Sequence, residues 1–211
     1  MVNFPDYAII LLLELTHSHM KIKSIKNAKN LAGKIVLLRA DLNVPVKGGR
    51  IKDDYKIVAI LPTVRYLLRH NCRIIMATHL GKGGESDSTK PIAERLGRLL
   101  GQKVRYAAVD TVGKLENKQI AMLENLRWQA GEEKNDKKFA KALAALAEIY
   151  INDAFAVSHR DHASVSAIKK YLPAYAGLLL EKEVLNLAKV LSPKKPLISI
   201  IGGAKRETKI N

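Results

Sequence analysis

At 211 residues with 47% hydrophobic side chains, the chain can form one large packed domain, or one domain and part of another. Lys and Arg number 36 against 20 Asp and Glu, a net charge of +16 that calls for acidic partners. Nucleic acid ranks last among these, because the basic residues are spread along the chain and follow no zinc-finger, ribonucleoprotein or basic-zipper spacing; a phosphorylated metabolite ranks first. The lone cysteine, Cys72, excludes an intramolecular disulfide and fits a reducing compartment, with the cytoplasm as the default.

Residues 1–19 differ from the rest, with an apolar stretch from Tyr7 to Leu15 that resembles the middle of a signal peptide. No Lys or Arg precedes it, Glu14 interrupts it, no small-residue cleavage site follows, and it is too short to span a bilayer. We expect 1–19 to be an extension outside the fold, with Met20 as an alternative start and no membrane association.

From Lys34 onward short apolar runs alternate with amphipathic ones, the pattern of parallel strands joined by crossover helices. Strands are predicted at 34–39, 73–77, 103–107, 119–124, 148–152 and 197–201, mostly continuously apolar as doubly covered strands are. Between the first two, Ile57, Ile60, Leu61, Val64, Leu67 and Leu68 recur at helical spacing, and Pro62 is expected to bend that helix or lie in its first turns. Further helices are predicted at 91–100, 136–146 and 176–191, whereas the connection 107–119 is barely long enough for a crossover helix and reads as an irregular loop. The fold class is therefore α/β: a parallel, Rossmann-like sheet with helices on both faces over 20–175, a linking helix over 176–192, and the first strand of a second α/β domain in 193–211.

In such sheets ligands bind beyond the carboxyl ends of the strands. Arg39, Asp41 and Asn43 follow the first strand; His79, Gly81 and Lys82 the second; Glu124, Asn125 and Arg127 the fourth; Asp153, His159, Arg160 and His162 the fifth. Singly, Arg127 reads as a solvated charge, His79 as a loop histidine and Asp41 as a cap. Together they place repelling cations at one sheet edge, which is stable only if an anion sits among them. Guanidinium groups suit a small molecule bearing phosphate and carboxylate, with Asp41 and Asn43 orienting its hydroxyls. There is no Gly-x-Ser-x-Gly elbow and no zinc spacing. A second candidate cradle is Gly202-Gly203-Ala204-Lys205, where backbone N–H groups at a helix start could hold phosphate with Lys205 and Lys209 adding charge; it is not a Walker A loop, and alone it reads as a simple helix entry.

Over 20–211 the ordered motifs resemble the phosphoglycerate kinase family. These are Leu38-Arg39-Ala40-Asp41-Leu42-Asn43-Val44-Pro45, Leu61-Pro62-Thr63, Thr78-His79-Leu80-Gly81, Leu123-Glu124-Asn125-Leu126-Arg127, Asn152-Asp153-Ala154-Phe155 running on to His159-Arg160-Asp161-His162-Ala163-Ser164, Glu181-Lys182-Glu183, and Ile201-Gly202-Gly203-Ala204-Lys205. The resemblance implies reversible phosphoryl transfer between 1,3-bisphosphoglycerate and ADP, giving 3-phosphoglycerate and ATP in glycolysis, with Mg²⁺ carried on the nucleotide. It implies that Asp41, Asn43 and His79 contact the glycerate; that Arg39, Lys56, Lys82, Arg127, His159, Arg160 and His162 form the basic patch, with Arg127 and Arg160 on the nonreacting phosphate; and that Gly203, Ala204, Lys205 and Lys209 meet the nucleotide. Lys56 and Lys209 are the expected catalytic residues, no residue is expected to ligate a metal directly, and the complete enzyme is expected to be a cytoplasmic monomer without nucleic-acid or membrane partners.

The sequence departs from the family pattern where Lys56 and Lys82 stand in place of arginine, keeping charge but losing the planar fork, and where Ala156-Val157 stands in place of Gly-Thr. Because about half of the family's length is absent, the chain is expected to bind the acid without turnover; the alternative is a stand-alone anion-binding module.

Overall fold

In the computed structural model, residues 22–191 and Ile198 are described; the rest of the predicted strand at 197–201, the Gly202–Lys205 cradle with Lys209, and the 1–19 extension lie outside them. Eight strands and four helices of eight or more residues are found there: β1 (Ile35–Ala40), β2 (Val46–Lys47), β3 (Arg50–Ile51), α1 (Tyr55–Arg69), β4 (Arg73–Ala77), α2 (Lys90–Leu100), β5 (Val104–Ala107), β6 (Ile120–Leu123), α3 (Lys137–Ala144), β7 (Ile149–Asp153), β8 (Ala174–Ala176) and α4 (Leu178–Leu191).

Alternation along the strands builds two cores at once. Side chains on a strand point to opposite faces in turn, so Val36, Leu38, Ile74, Met76 and Met122 pack on one face with Ile57, Ile60, Val64 and Leu67 of α1 and Ile92 and Leu96 of α2. On the other face Leu37, Ile75, Ala77, Ala121 and Leu123 pack with Leu143 of α3 and with Ile168 in a short 3₁₀ turn. Both faces are thus covered, which is why these strands read as unbroken apolar runs. Cys72 lies in the first core, where burial pushes its thiol up to about 11 and leaves it a small apolar side chain.

Six strands form one parallel sheet in the order β5-β6-β4-β1-β7-β8. β1 leads through α1 to β4 on one side, while β7 leads to β8 on the other, so the connections diverge above the carboxyl ends of β1 and β7. A crevice at such a divergence is where open α/β sheets bind ligands.

The predicted strands at 34–39, 73–77, 103–107, 119–124 and 148–152 appear within a residue of those bounds, and the connection between β5 and β6 carries no helix. It is held instead by Arg105, whose guanidinium donates to the carbonyls of Val112 and Lys114. Pro62 sits in the middle of α1 rather than in its first turn. Three short strands were not predicted. The β2–β3 hairpin has only two residues per strand and turns at Gly48-Gly49, and the three-residue β8 is bounded by Pro173 and Gly177; neither is long enough to show a period.

Ile22–Glu181 forms one compact unit that takes in the first turn of α4. The described part of the other unit is helical from Lys182 and carries the exposed side chains of Leu185, Leu187 and Val190.

Candidate functional site

Arg39 is the next-to-last residue of β1 and shares the face of Leu37, yet only 1% of it is exposed. A guanidinium taken out of water must have its donors matched. Here Nε donates to Ser164 Oγ at 2.9 Å, Nη1 to the carbonyl of Ala40 at 2.6 Å, and Nη2 lies 3.2 Å from His79 Nδ1. Arginine has no lone pair to offer, so Nδ1 is the acceptor and His79 is the neutral, Nε2-protonated tautomer. The electrostatics agree. Burial, then the charges of Arg39 and Arg127, push His79 down to about 3, and burial lowers the pKa of Arg39 itself.

Asp41 and Asn43 follow β1 in a turn. Asp41 Oδ2 pairs with Lys56 Nζ at 2.7 Å, and Oδ1 accepts from the Asn43 N–H at 3.3 Å. Asn43 Oδ1 in turn accepts from the Gly81 N–H at 3.0 Å, which ties the β1 turn to the loop after β4. That loop is wound around a carboxylate. Asp87 Oδ2 accepts from the N–H groups of Lys82, Gly83 and Gly84 at 3.1, 3.1 and 2.9 Å. The approach requires glycine at position 81, where φ is +54° and an added Cβ would lie 2.2 Å from Asp87 Oδ2. These amides are therefore turned toward Asp87, and the exposed Lys82 side chain is what the loop presents to solvent.

Glu124 and Asn125 after β6 are structural. Glu124 accepts from Ser88, from the N–H and hydroxyl of Thr89, and from the Asn125 N–H; buried Asn125 holds the Leu80 backbone with both ends of its amide. Arg127 emerges from that frame, donates to the Gly81 carbonyl, and lies 3.0 Å from Glu133 Oε1 without the alignment of a hydrogen bond.

At the end of β7, Asp153 turns away from the cations. It is fully buried, accepts from Thr63 Oγ1 of α1 at 2.5 Å and from the Leu180 N–H of α4 at 2.7 Å, and burial raises its pKa to about 6. It caps α4 rather than serving the crevice. The next segment supplies Arg160, partly exposed and with no hydrogen bond or ion pair from its guanidinium to any described residue, the exposed His159, and His162, whose Nδ1 lies 3.9 Å from Glu132 Oε1. His162 is shifted down, chiefly by burial, with Glu132 opposing that and Arg160 and Arg127 reinforcing it.

Arg39, His79, Arg127, Arg160 and His162 thus act on one another electrostatically, and Lys56 joins them through Asp41. His159 and Lys82 lie at the rim, with no side-chain bond to the cluster among the described residues. Arg39 and His79 form a buried floor. The residue the sequence did not single out is Glu132, fully buried and bonded to Ser164; it sits in the run Gly131-Glu132-Glu133-Lys134, which by pattern alone reads as solvated. A groove of about 560 Å³ adjoins the site at Asn43, Gly81 and Asp87. A groove of about 640 Å³ lies elsewhere, beside Arg50, Arg95 and Arg98, where Asp53, Asp54 and Glu94 counter the cations and Arg95 pairs with Asp54 at 2.7 Å. Among the described residues no group of three or more His, Cys, Asp or Glu could hold a metal ion, and no helix is long and apolar enough to cross a membrane.

A sequence model of the family described as phosphoglycerate kinase matches residues 25–211. The fold is similar to that of phosphoglycerate kinase from Coxiella burnetii, with 37% identity and a TM-score of 0.78 over 88% of this chain and 49% of that one. It is also similar to phosphoglycerate kinase from Pyrococcus horikoshii OT3, with 32% identity and a TM-score of 0.76 over 83% of this chain and 47% of that one. The chain spans about half the length of these solved structures. On the family match and on the shared α/β architecture, the chain belongs to the phosphoglycerate kinase family.

Proposed function

We propose that this chain supplies the acid-substrate half of a phosphoglycerate kinase, binding 3-phosphoglycerate or 1,3-bisphosphoglycerate for reversible phosphoryl transfer with ADP and ATP. The observation that carries the reading is the surplus of cations at the β1–β7 divergence. Arg127 and Arg160 stand over a floor of Arg39 and His79, and Arg160 has no described protein partner to neutralise it. A phosphate with bidentate demand fits such a guanidinium pair. Neutral His79, with Nδ1 held by Arg39, offers its Nε2–H to an uncharged or anionic oxygen of the glycerate. Asn43 and Asp41 would orient its hydroxyl from the turn after β1.

Lys56 opens α1 with its ammonium against Asp41. In this reading it shifts from Asp41 toward the transferring phosphoryl group, whose charge is stabilised electrostatically rather than by covalent chemistry. Gly203, Ala204, Lys205 and Lys209, outside the described residues, would meet the nucleotide phosphates. The described donors are cations rather than a ring of carboxylates, so they fit the acid's phosphate and not a metal ion; Mg²⁺ would travel on the nucleotide and neutralise its phosphates. The cytoplasm and a monomeric complete enzyme accord with this reading.

Calorimetric titration with 3-phosphoglycerate tests it. Saturable binding is expected, weakened roughly 100-fold in Arg160→Ala and in Arg127→Ala, the scale of losing charge-assisted hydrogen bonds. Absence of binding by the folded chain, or binding indifferent to both changes, overturns it.

A further inference from the structure

Within the site Arg39 meets a neutral His79 and a repelling Arg127, and the favourable charge of Asp41 there is a smaller contribution than that of Glu132. The main compensation for Arg39 comes from behind. Glu132 Oε1 accepts from Ser164 Oγ at 2.5 Å and Oε2 accepts from the Ser164 N–H at 3.0 Å, while the Ser164 carbonyl accepts from the buried Tyr150 hydroxyl at 2.7 Å. A serine hydroxyl has one proton. Given to Glu132, it leaves Oγ only lone pairs to show Arg39, which fixes Ser164 as the acceptor for the Arg39 Nε–H at 2.9 Å. Glu132 and Ser164 are both at most 1% exposed, so water cannot substitute for either.

We propose that Glu132 is a positioning residue: through Ser164 it locks the Arg39 guanidinium with its Nη2 edge against His79, and so sets the tautomer and orientation of the floor of the acid site. The functional part of this rests on the proposed acid-binding role. The competing role is purely structural, since the Glu132 carbonyl also accepts from the Ala163 N–H at 2.9 Å and so staples the two segments together.

Two measurements on the 211-residue chain separate these. With ¹⁵N-labelled arginine, the free protein is expected to show a solvent-protected Arg39 Nε–H resonance, absent in Ser164→Ala, exchange-broadened in Glu132→Gln and restored in Ser164→Thr, which keeps the hydroxyl. In calorimetry with 3-phosphoglycerate, Ser164→Ala and Glu132→Gln are expected to weaken binding about tenfold, as for one lost charge-assisted hydrogen bond, with Ser164→Thr near wild type. If Glu132→Gln does not fold, the Ser164 pair of variants carries the same comparison. An unchanged Arg39 resonance and unchanged affinity in folded Ser164→Ala overturn the proposal, as does an equal loss in Ser164→Thr. A resonance that follows the variants in a chain without saturable 3-phosphoglycerate binding overturns the acid-binding reading and supports the positioning.

Discussion

The two ends of the central sheet treat charge in opposite ways. At the amino ends of β1, β4 and β7 one carboxylate, Glu148, gathers Lys34 at 2.6 Å, Arg73 at 3.7 Å and the Ile35 N–H at 2.9 Å, and these partners hold its pKa below the usual carboxylate range. Both of these cations share a protein carboxylate. At the carboxyl ends of the same strands Arg39, Arg127 and Arg160 gather around a neutral histidine; of the carboxylates that oppose them, Glu132 and Asp41 are already bonded to Ser164 and Lys56, and the exposed Glu133 pairs with Arg127 alone. One end is closed by the protein; the other, on the proposed reading, is completed by an anion.

The sharpest way to break this comparison is to remove a cation from the open end. Beyond its roughly 100-fold effect on acid affinity, Arg160→Ala is expected to leave the melting temperature of the free chain unchanged or raised, because it relieves repulsion. Saturating 3-phosphoglycerate is expected to stabilise the wild type by about 2.7 kcal/mol at 100 times Kd, and to lose that effect in Arg160→Ala. Thermal melts with and without the ligand read both. A fall in stability of the free Arg160→Ala chain would show that the cluster is not repulsive.

Titration separates two buried groups of the open end. His79 is lowered to about 3, so its neutral folded form contributes stability that is present above an unfolded pKa near 6.5 and lost as pH falls through that window. Asp153 is raised to about 6, so it contributes in the opposite sense: stability present below an unfolded value near 3.8 and lost as pH rises toward 6. Denaturant melts between pH 4 and 7 are expected to give a steeper rise of stability with pH in Asp153→Asn than in the wild type, and a flatter one in His79→Gln, each by the order of 1–3 kcal/mol across the window. The reverse pattern would show that Asp153 is ionised and stabilising as a cap.

The smallest effect belongs to the closed end. Glu148 and Lys34 are each about two-fifths exposed, so Glu148→Gln is expected to cost below about 1 kcal/mol and to leave acid affinity untouched. A loss of affinity in that variant, measured by the same calorimetry, would mean that the two ends are coupled.

Much of this was legible in the sequence. The strands β1, β4, β6 and β7 and the apolar stripe of α1 are written in local periodicity, because a strand covered on both faces must be apolar at nearly every position. The candidate cations were legible too, as polar residues following apolar runs. What could not be read was how each of them is partnered. Asp153 and Arg39 look alike from the sequence as charged residues at strand ends, yet one is drawn off to cap α4 and the other is buried as a floor. Asp87 gives no sign that it holds the amides of Lys82, Gly83 and Gly84.

By itself the sequence determined the class of fold, the order of its main strands and helices and the sheet edge that carries its candidate residues, since periodicity and strand-end position are short-range properties. Only the tertiary structure decided which charges remain free. Arg39 meets Ser164 across 125 positions, Thr63 meets Asp153 across 90, and Ser164 meets Glu132 across 32. Pairings over such separations are set by the β5-β6-β4-β1-β7-β8 topology, and no local pattern carries them.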